Sequence, residues 1–402
     1  MISERYKRIL ARGAGGGLES AGFESTGATG PDLSEGGIYD RVSSTEAELR
    51  RIVKDYLGDR PELYEVAGRI VSSGSDALRA VRDSDDDRLA NDSTMLAGLE
   101  AIVRTDGSRP SFMIRDGHVD LKTSPIGQWE DTLQSSADKL EEAFTCVGRI
   151  DIPGPLQFEG TGFLIAENLI MTNRHVLQGI GQPDSDGVWS FPAGTLIDFG
   201  HEFRAREHVN PRALRSVVFA GEKVINLKGP VDHTKLDLVL IELEPPAPEA
   251  RPRNTLKIDV APDWAAPQAL VFTIGYPANP GPFSEPPSLI EQLFQSTYGF
   301  KRCAPGEIIP AQAAGVFTWT LAHDTTTLGG NSGSVLLAAG REDVAAGLHY
   351  GGRRVDPREN WGHVLGRVLD QTDKVSGKTV HECFQRFNVQ LVDRTRADGG
   401  GH

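Results

Sequence analysis

"TLGGNSGSVLL", residues 327–337, sets two glycines, an asparagine and a serine directly ahead of a run of strand-forming aliphatic residues. Such a stretch can close a hairpin, where glycine supplies the left-handed backbone that a tight turn demands. It can also hold the Ser332 hydroxyl on a rigid corner beside free backbone amides. The Gly329–Gly333 turn lets the amides of Gly330 and Ser332 point to one spot, where they would bind an oxyanion. A serine hydroxyl is a weak nucleophile at neutral pH without an adjacent base, so this second reading needs a partner elsewhere in the chain.

From about residue 145 to 370 the surrounding sequence reads as short β-rich runs separated by Gly, Pro and Asp clusters. The runs are 146–152, 160–166, 168–172, 195–199, 215–220, 236–243, 269–274, 315–321, 333–338, 343–349 and 362–366. Many short strands with turn punctuation predict an all-β sandwich or barrel, not a parallel α/β sheet. Two of these regions carry chemistry. In "GTGFLIAENLIMTNRHVL" (160–177), strand, turn and strand lead to His175, which can project into a cleft as a general base or serve as a structural histidine. In "HTKLDLVLIEL" (233–243), Asp237 stands at the mouth of an apolar run. A desolvated carboxylate there needs a specific partner, which an imidazole or nearby backbone amides would supply.

The N-terminal part differs in texture. Residues 1–37 read as a short helix and a flexible Gly- and Ser-rich linker with few large apolar groups. Residues 38–125 read as a small helical module ending in a hairpin. Thr45 and Glu48 form a T-x-x-E capping pattern ahead of an apolar stripe, and a second helix starts after Asp59. Further helices are expected over 75–82 and 93–104, with a solvated acidic loop, "DSDDDRLAND", between them. A hairpin turning at Asp116-Gly117 follows, and 126–143 is again helical. The β domain is taken as 126–375, with a C-terminal helix or strand and a disordered tail over 376–402.

Composition narrows the function classes. The chain has 402 residues, 39% of them apolar and 24% charged, as expected of a globular protein with a sizeable core. A net charge of −14 argues against bulk attraction to nucleic acid or to an anionic membrane, and no run approaches a membrane span. Neither is expected as a partner. The three cysteines, Cys146, Cys303 and Cys383, are widely spaced and form no C-x-x-C pair. Neither a disulfide framework nor a zinc site is expected. Free thiols and the lack of an apolar signal centre at the N-terminus point to the cytoplasm.

Taken together, "TNRHV", "LDLVLIEL" and "GGNSGS" resemble the trypsin-like serine peptidases over about residues 145–370. The order His175, Asp237, Ser332 is the order this family uses. The resemblance implies a mainly β chain with an α-helical N-terminal region, its protease domain a chymotrypsin-like pair of six-stranded β-barrels. It implies His175 as base, Asp237 as the acid that orients it and Ser332 as nucleophile, with Gly330 and Ser332 amides at the oxyanion. The expected activity is that of a serine endopeptidase on protein or peptide substrates, with no metal and no organic cofactor.

Where digestive members carry cysteine beside the histidine this chain has Val176, and where they carry aspartate before the serine it has Asn331. The motifs are closest to bacterial glutamyl endopeptidases and HtrA-like protease domains, although no PDZ-like domain is expected after residue 370. "AAGLHYGG" (345–352) resembles a glutamyl endopeptidase segment whose histidine contacts an acidic P1 side chain, and Thr327 matches a threonine of that family. The resemblance thus implies substrate binding by Thr327, His349, Tyr350 and Gly351, and cleavage after Glu. The helical module is expected to regulate or target the protease, or to bind a regulatory partner. The competing class is a silent scaffold that acts as an adaptor through that module.

Overall fold

The computed structural model describes residues 2–11, 30–154, 158–227, 229–246, 254–277, 298–311, 317–327, 331–353 and 359–393. Five helices come first: α1 (Ile2–Leu10), α2 (Glu35–Tyr56), α3 (Pro61–Arg82), α4 (Asp86–Asn91) and α5 (Ser93–Thr105). A hairpin, β1 (Phe112–Arg115) and β2 (His118–Asp120), and helix α6 (Glu130–Cys146) lead into the β region.

The first barrel follows from β3 (Val147–Asp151), β4 (Phe158–Ala166) and β5 (Leu169–Thr172), then helix α7 (Arg174–Ile180). A two-stranded ribbon, β6 (Gln182–Pro183) and β7 (Trp189–Ser190), precedes β8 (Leu196–Asp198), β9 (Arg212–Ala220) and β10 (Val239–Leu243). The strands close in the order β10-β5-β4-β3-β8-β9.

The second barrel is built from β12 (Leu270–Gly275), β13 (Arg302–Ile309), β14 (Thr320–His323), β15 (Val335–Ala338), β16 (Val344–Arg353) and β17 (Glu359–Val364). The path β12-β15-β16-β17-β14-β13 closes on itself because β12 also pairs with β13. Short strand β11 (Lys257–Asp259) adds to β16, β18 (Leu391–Val392) adds in turn to β11, and helix α8 (Val380–Arg386) covers the first barrel near β9. Two closed six-stranded antiparallel barrels with an α-helical N-terminal region are the fold expected from the motifs. Closure leaves few strand edges, and apolar side chains from both barrels and α6 form one continuous core.

The helical region departs from the sequence expectation in three places. Helix α2 starts at Glu35, where the Ser34 hydroxyl accepts from the Gly37 amide at 3.1 Å. Thr45 therefore lies inside a helix, buried against Thr105 at 3.3 Å, and no capping box forms there. Helix α3 runs unbroken through Ser72-Ser73-Gly74-Ser75, where two helices were expected. Gly74 is kept for packing: a Cβ on Gly98 of α5 would lie 2.4 Å from the Gly74 nitrogen, so the two helices cross with backbones nearly touching. The acidic stretch is no plain loop, because Asp85 caps α4 and Asp92 caps α5, each accepting backbone amides with its carboxylate.

The hairpin turns at Asp116-Gly117, both with positive φ, as the Asp-Gly pair predicts. Its first strand pairs with β13 (Phe112 with Cys303), so the hairpin extends the second barrel. Strand β13 itself escaped notice because "RCAPGEII" reads as a break at Pro305-Gly306. The linker over 12–29, part of the 315–321 run and the tail from 394 lie outside the described residues.

The close α3–α5 crossing gives a direct test. Gly98→Ala forces a methyl group into the Gly74 backbone and is expected to destabilise the protein by about 1–3 kcal/mol in chemical denaturation. An unchanged unfolding midpoint would rule out this crossing.

Candidate active site

Strands β5 and β10 are neighbours, with Val239 opposite Thr172, so the residues entering β10 lie beside those leaving β5. That register brings Asp237 to His175. The carboxylate makes two bonds to this one residue. Its Oδ1 accepts the His175 backbone N–H at 2.9 Å, and its Oδ2 lies 2.5 Å from His175 Nδ1. Asn173 donates from Nδ2 to the Asp237 carbonyl at 2.8 Å, tying the two chain segments together.

Both partners are buried. Burial is the largest influence on His175 and disfavours its charge. The Asp237 charge, its hydrogen bond and the nearby Glu159 together outweigh this and raise the imidazole above the ordinary histidine value. For Asp237 burial again acts first, against ionisation, and the His175 contacts reverse it, holding the carboxyl below its usual range. The pair is therefore a carboxylate beside an imidazole fixed with its proton on Nδ1, which leaves Nε2 as the base.

A further layer holds the aspartate. The Asp237 backbone N–H donates to His363 Nε2 at 3.0 Å. Burial pushes His363 down to about 4, so it stays neutral and can accept. Tyr350 stacks on the His363 ring at 4.3 Å, and its hydroxyl meets His233 Nδ1 at 2.7 Å and Thr320 Oγ1 at 3.2 Å. The Tyr350 side chain is thus turned beneath the acid, leaving only its backbone for a substrate groove. Gly351, the next residue of β16, is half-buried.

Ser332 comes from the turn before β15. Its carbonyl accepts the Thr161 amide at 2.9 Å, which draws the turn against β4 of the other barrel. A Cβ on Gly160 would meet both the Ser332 carbonyl and the Val176 side chain, so the serine turn and the residue after His175 pack on one glycine. Gly333 adopts φ +84°, and a Cβ there would lie 1.9 Å from the Thr161 carbonyl. No other residue type fits that position. The Gly333 amide then donates to the His349 carbonyl at 3.1 Å, and the His349 amide to the Ser334 carbonyl at 2.9 Å. Gly329 and Gly330 lie outside the described residues, and with them one half of the expected oxyanion pair.

His349 is buried and linked through Nδ1 to His323 Nε2 at 3.1 Å. His323 Nδ1 meets Thr325 Oγ1 at 2.9 Å, and Thr325 meets Thr273 Oγ1 at 2.7 Å. Burial pushes His323 down to about 3 and carries His349 well below its ordinary value, so both rings are neutral. Thr327 donates to Asn360 Oδ1 at 2.7 Å, while Asn360 Nδ2 holds the Thr325 carbonyl at 2.8 Å. His323, Thr325, Asn360 and His363 were not singled out by sequence reading. The only signal was the polar cluster "HDTTT" (323–327) in an otherwise apolar strand region.

The arrangement supports nucleophilic acyl transfer. In the expected roles, Ser332 Oγ would attack a carbonyl carbon while His175 Nε2 took its proton. The imidazolium, stabilised by Asp237, would return that proton to the departing amine, and water would repeat the cycle on the acyl-enzyme.

Comparison with known proteins agrees with this chemistry. A family model described as "Trypsin-like peptidase domain" matches residues 160–345. Among curated proteins, a "Probable serine protease" of Lysobacter enzymogenes is 30% identical over 284 residues, covering 63% of this chain and 69% of the relative. Among solved structures, neuropsin, a serine protease expressed in the limbic system of mouse brain, aligns with 56% of this chain and 92% of its own at 14% identity, with a TM-score of 0.37. Rv3671c of Mycobacterium tuberculosis, in an inactive form, aligns with 64% of this chain and 93% of its own at 16% identity, with a TM-score of 0.34.

The raised His175 value sets the sign of the pH dependence. The base works only when unprotonated, so kcat/KM rises with pH through the His175 titration, with a midpoint above the ordinary histidine value of about 6.5. In Asp237→Asn the stabilising charge is gone, and kcat is expected to fall about 10⁴-fold. A pH–rate profile whose acid limb is centred below that value, with Asp237→Asn fully active, would exclude this pair as the working base.

Proposed function

This chain belongs to the trypsin-like peptidase family and is a serine endopeptidase, and on that premise we propose that it cleaves after acidic residues, glutamate above all, under control of its helical N-terminal region. The observation that carries the specificity is the chain Thr273–Thr325–His323–His349. If each hydroxyl and ring donates toward the next, His349 Nδ1 accepts from His323 and its Nε2 carries a proton for a ligand. A neutral donor buried in a pocket favours a carboxylate that brings its own charge. Thr327 already donates to Asn360, so it joins in binding a carboxylate only by turning its hydroxyl away.

The regulatory part of the reading is supported by Arg109, in the segment that leaves α5. Its guanidinium donates to Asp324 Oδ2 at 2.5 Å, with both side chains buried. Its carbonyl accepts from Thr326 Oγ1 at 2.7 Å. Asp324 and Thr326 flank Thr325 of the histidine chain, so the N-terminal region grips one wall of the proposed pocket. The three cysteines are buried and none forms a disulfide, which supports work in a reducing compartment such as the cytoplasm.

Profiling a peptide library tests the specificity. The wild type is expected to cut after Glu, and His349→Leu to lower kcat/KM for Glu substrates about 10–100-fold relative to apolar ones. A wild type that cuts mainly after Lys or Leu would refute the acidic preference. For the regulatory link, the double variant Arg109→Met/Asp324→Asn removes both buried charges together and is expected to stay folded, with KM for Glu peptides raised several-fold. A folded double variant with wild-type KM and selectivity would show that this ion pair is only structural.

A further inference from the structure

The segment between β8 and β9 reads "DFGHEFRAREH" (198–208) and spaces three metal-binding side chains as D-x2-H-x6-H. Asp198, His201 and His208 each bring one ligand atom to a common point, all within 4.8 Å of one another. The orientation of each is set by separate contacts. Asp198 Oδ1 accepts the Gly200 and Val209 amides at 2.7 and 2.9 Å, which turns Oδ2 toward the rings. Oδ2 lies 2.7 Å from His208 Nδ1 and 3.7 Å from His201 Nε2. His201 takes a left-handed backbone, φ +54°, fixed by its amide on the Glu207 carbonyl and by the Lys301 amide on its own carbonyl. That turn points its ring back at Asp198 and at Asp151, whose Oδ2 lies 3.0 Å from Nε2.

We propose that Asp198, His201 and His208 bind one divalent transition-metal ion, with zinc as the best match. The need is electrostatic. Asp198 is buried, and among the described residues its ion-pair partners are these two imidazoles and no lysine or arginine. A bound cation would supply positive charge beside this buried carboxylate. Two nitrogen donors and one carboxylate oxygen suit a borderline metal, whereas calcium and magnesium call for oxygen ligands throughout. A fourth position falls to water or to Asp151, which Arg149 already orients through its Nε at 2.5 Å. His208 is largely exposed, which gives an ion access from solvent. The expectation of no zinc site rested on the spacing of the cysteines, which carries no information about a site built from His and Asp.

The position implies a structural role. The Gly200 carbonyl accepts from Tyr276 Oη of the second barrel at 2.6 Å, and Glu202 accepts the Gly117 amide of the hairpin at 3.1 Å. Arg204 donates to the Asp55 carbonyl at the end of α2 at 2.8 Å. An ion that fixes this one segment would therefore stiffen the meeting point of both barrels, the hairpin and the helical region.

The test uses the full chain, stripped with a chelator and blocked at Ser332 with a fluorophosphonate to keep ions from the catalytic histidine. Calorimetric titration with zinc is expected to give one ion per chain and a rise in melting temperature. His208→Ala, a change at an exposed side chain, and Asp198→Asn are each expected to weaken binding by at least about 10–100-fold, with the His208→Ala protein melting like metal-free wild type. Cobalt at the site should give the visible absorption of a four-coordinate ion. Absence of stoichiometric zinc binding, equal binding by wild type and both variants, or calcium competing as well as zinc would each overturn the proposal.

Discussion

A carboxylate kept ionised inside the protein is the constraint on which the rest of the site depends. Asp237 is buried at the start of a strand, where an unpartnered charge would be driven to neutralise. It stays charged against the His175 ring, and three segments converge to hold it. His175 supplies an amide and a ring nitrogen, and Asn173 holds its carbonyl. His363 receives its amide, backed by Tyr350. The His175 and Asn173 contacts are made within the first barrel, by the β5–β10 register, whereas His363 and Tyr350 come from the second. The His175–Asp237 pair thus forms inside one barrel, and its outer support is completed at the interface with the other.

Ser332 is likewise held between the two barrels. The serine turn belongs to the second barrel but is registered on Thr161 of the first, through the Ser332 carbonyl and the bare α-carbon of Gly333. Thr172 donates to the Thr161 carbonyl at 2.6 Å, so one backbone oxygen faces both the strand that leads to His175 and the turn that carries Ser332. A side chain at 333 would push these apart by more than a hydrogen bond can follow. Precision here comes from close backbone approach, which is the geometry least tolerant of substitution.

How much of this was legible in the sequence depends on how local the cause was. The three motifs, their order and the Asp116-Gly117 turn could be read because each is fixed by neighbours in the chain. The start of α2 could not: Thr45-Glu48 satisfies the capping pattern, but burial of Ile38 and the contact of Arg41 with Asp106 extend the helix back past it. The continuity of α3 through Gly74 is likewise decided by Gly98 on another helix. Strand β13 was hidden because Pro305 and Gly306 carry turn signals, which pairing with β12 on one side overrides. The supports of the site, His323, His363 and Asn360, were illegible for the same reason. Their partners lie far along the chain, and a lone histidine in an apolar strand has no periodicity to betray it.

The buried histidines His175, His233, His323, His349 and His363 then divide by environment rather than by residue type. His175 is raised because burial is opposed by an adjacent carboxylate, whereas His323, His349 and His363 are lowered because burial meets no comparable charge. His233, next to Tyr350, is also lowered, chiefly by burial. Only the first can therefore cycle its charge near neutral pH, while the others remain fixed donors and acceptors. That division has a consequence for specificity. If the pocket histidine were charged before substrate arrived, it would repel the imidazolium that forms on His175 during each turnover. Under the proposed acidic preference, a neutral His349, made a donor by the hydroxyl and ring chain behind it, would recognise an anion without that penalty. On that reading, the burial of His323 and Thr325 would let a proton-transferring histidine and a recognition histidine work side by side.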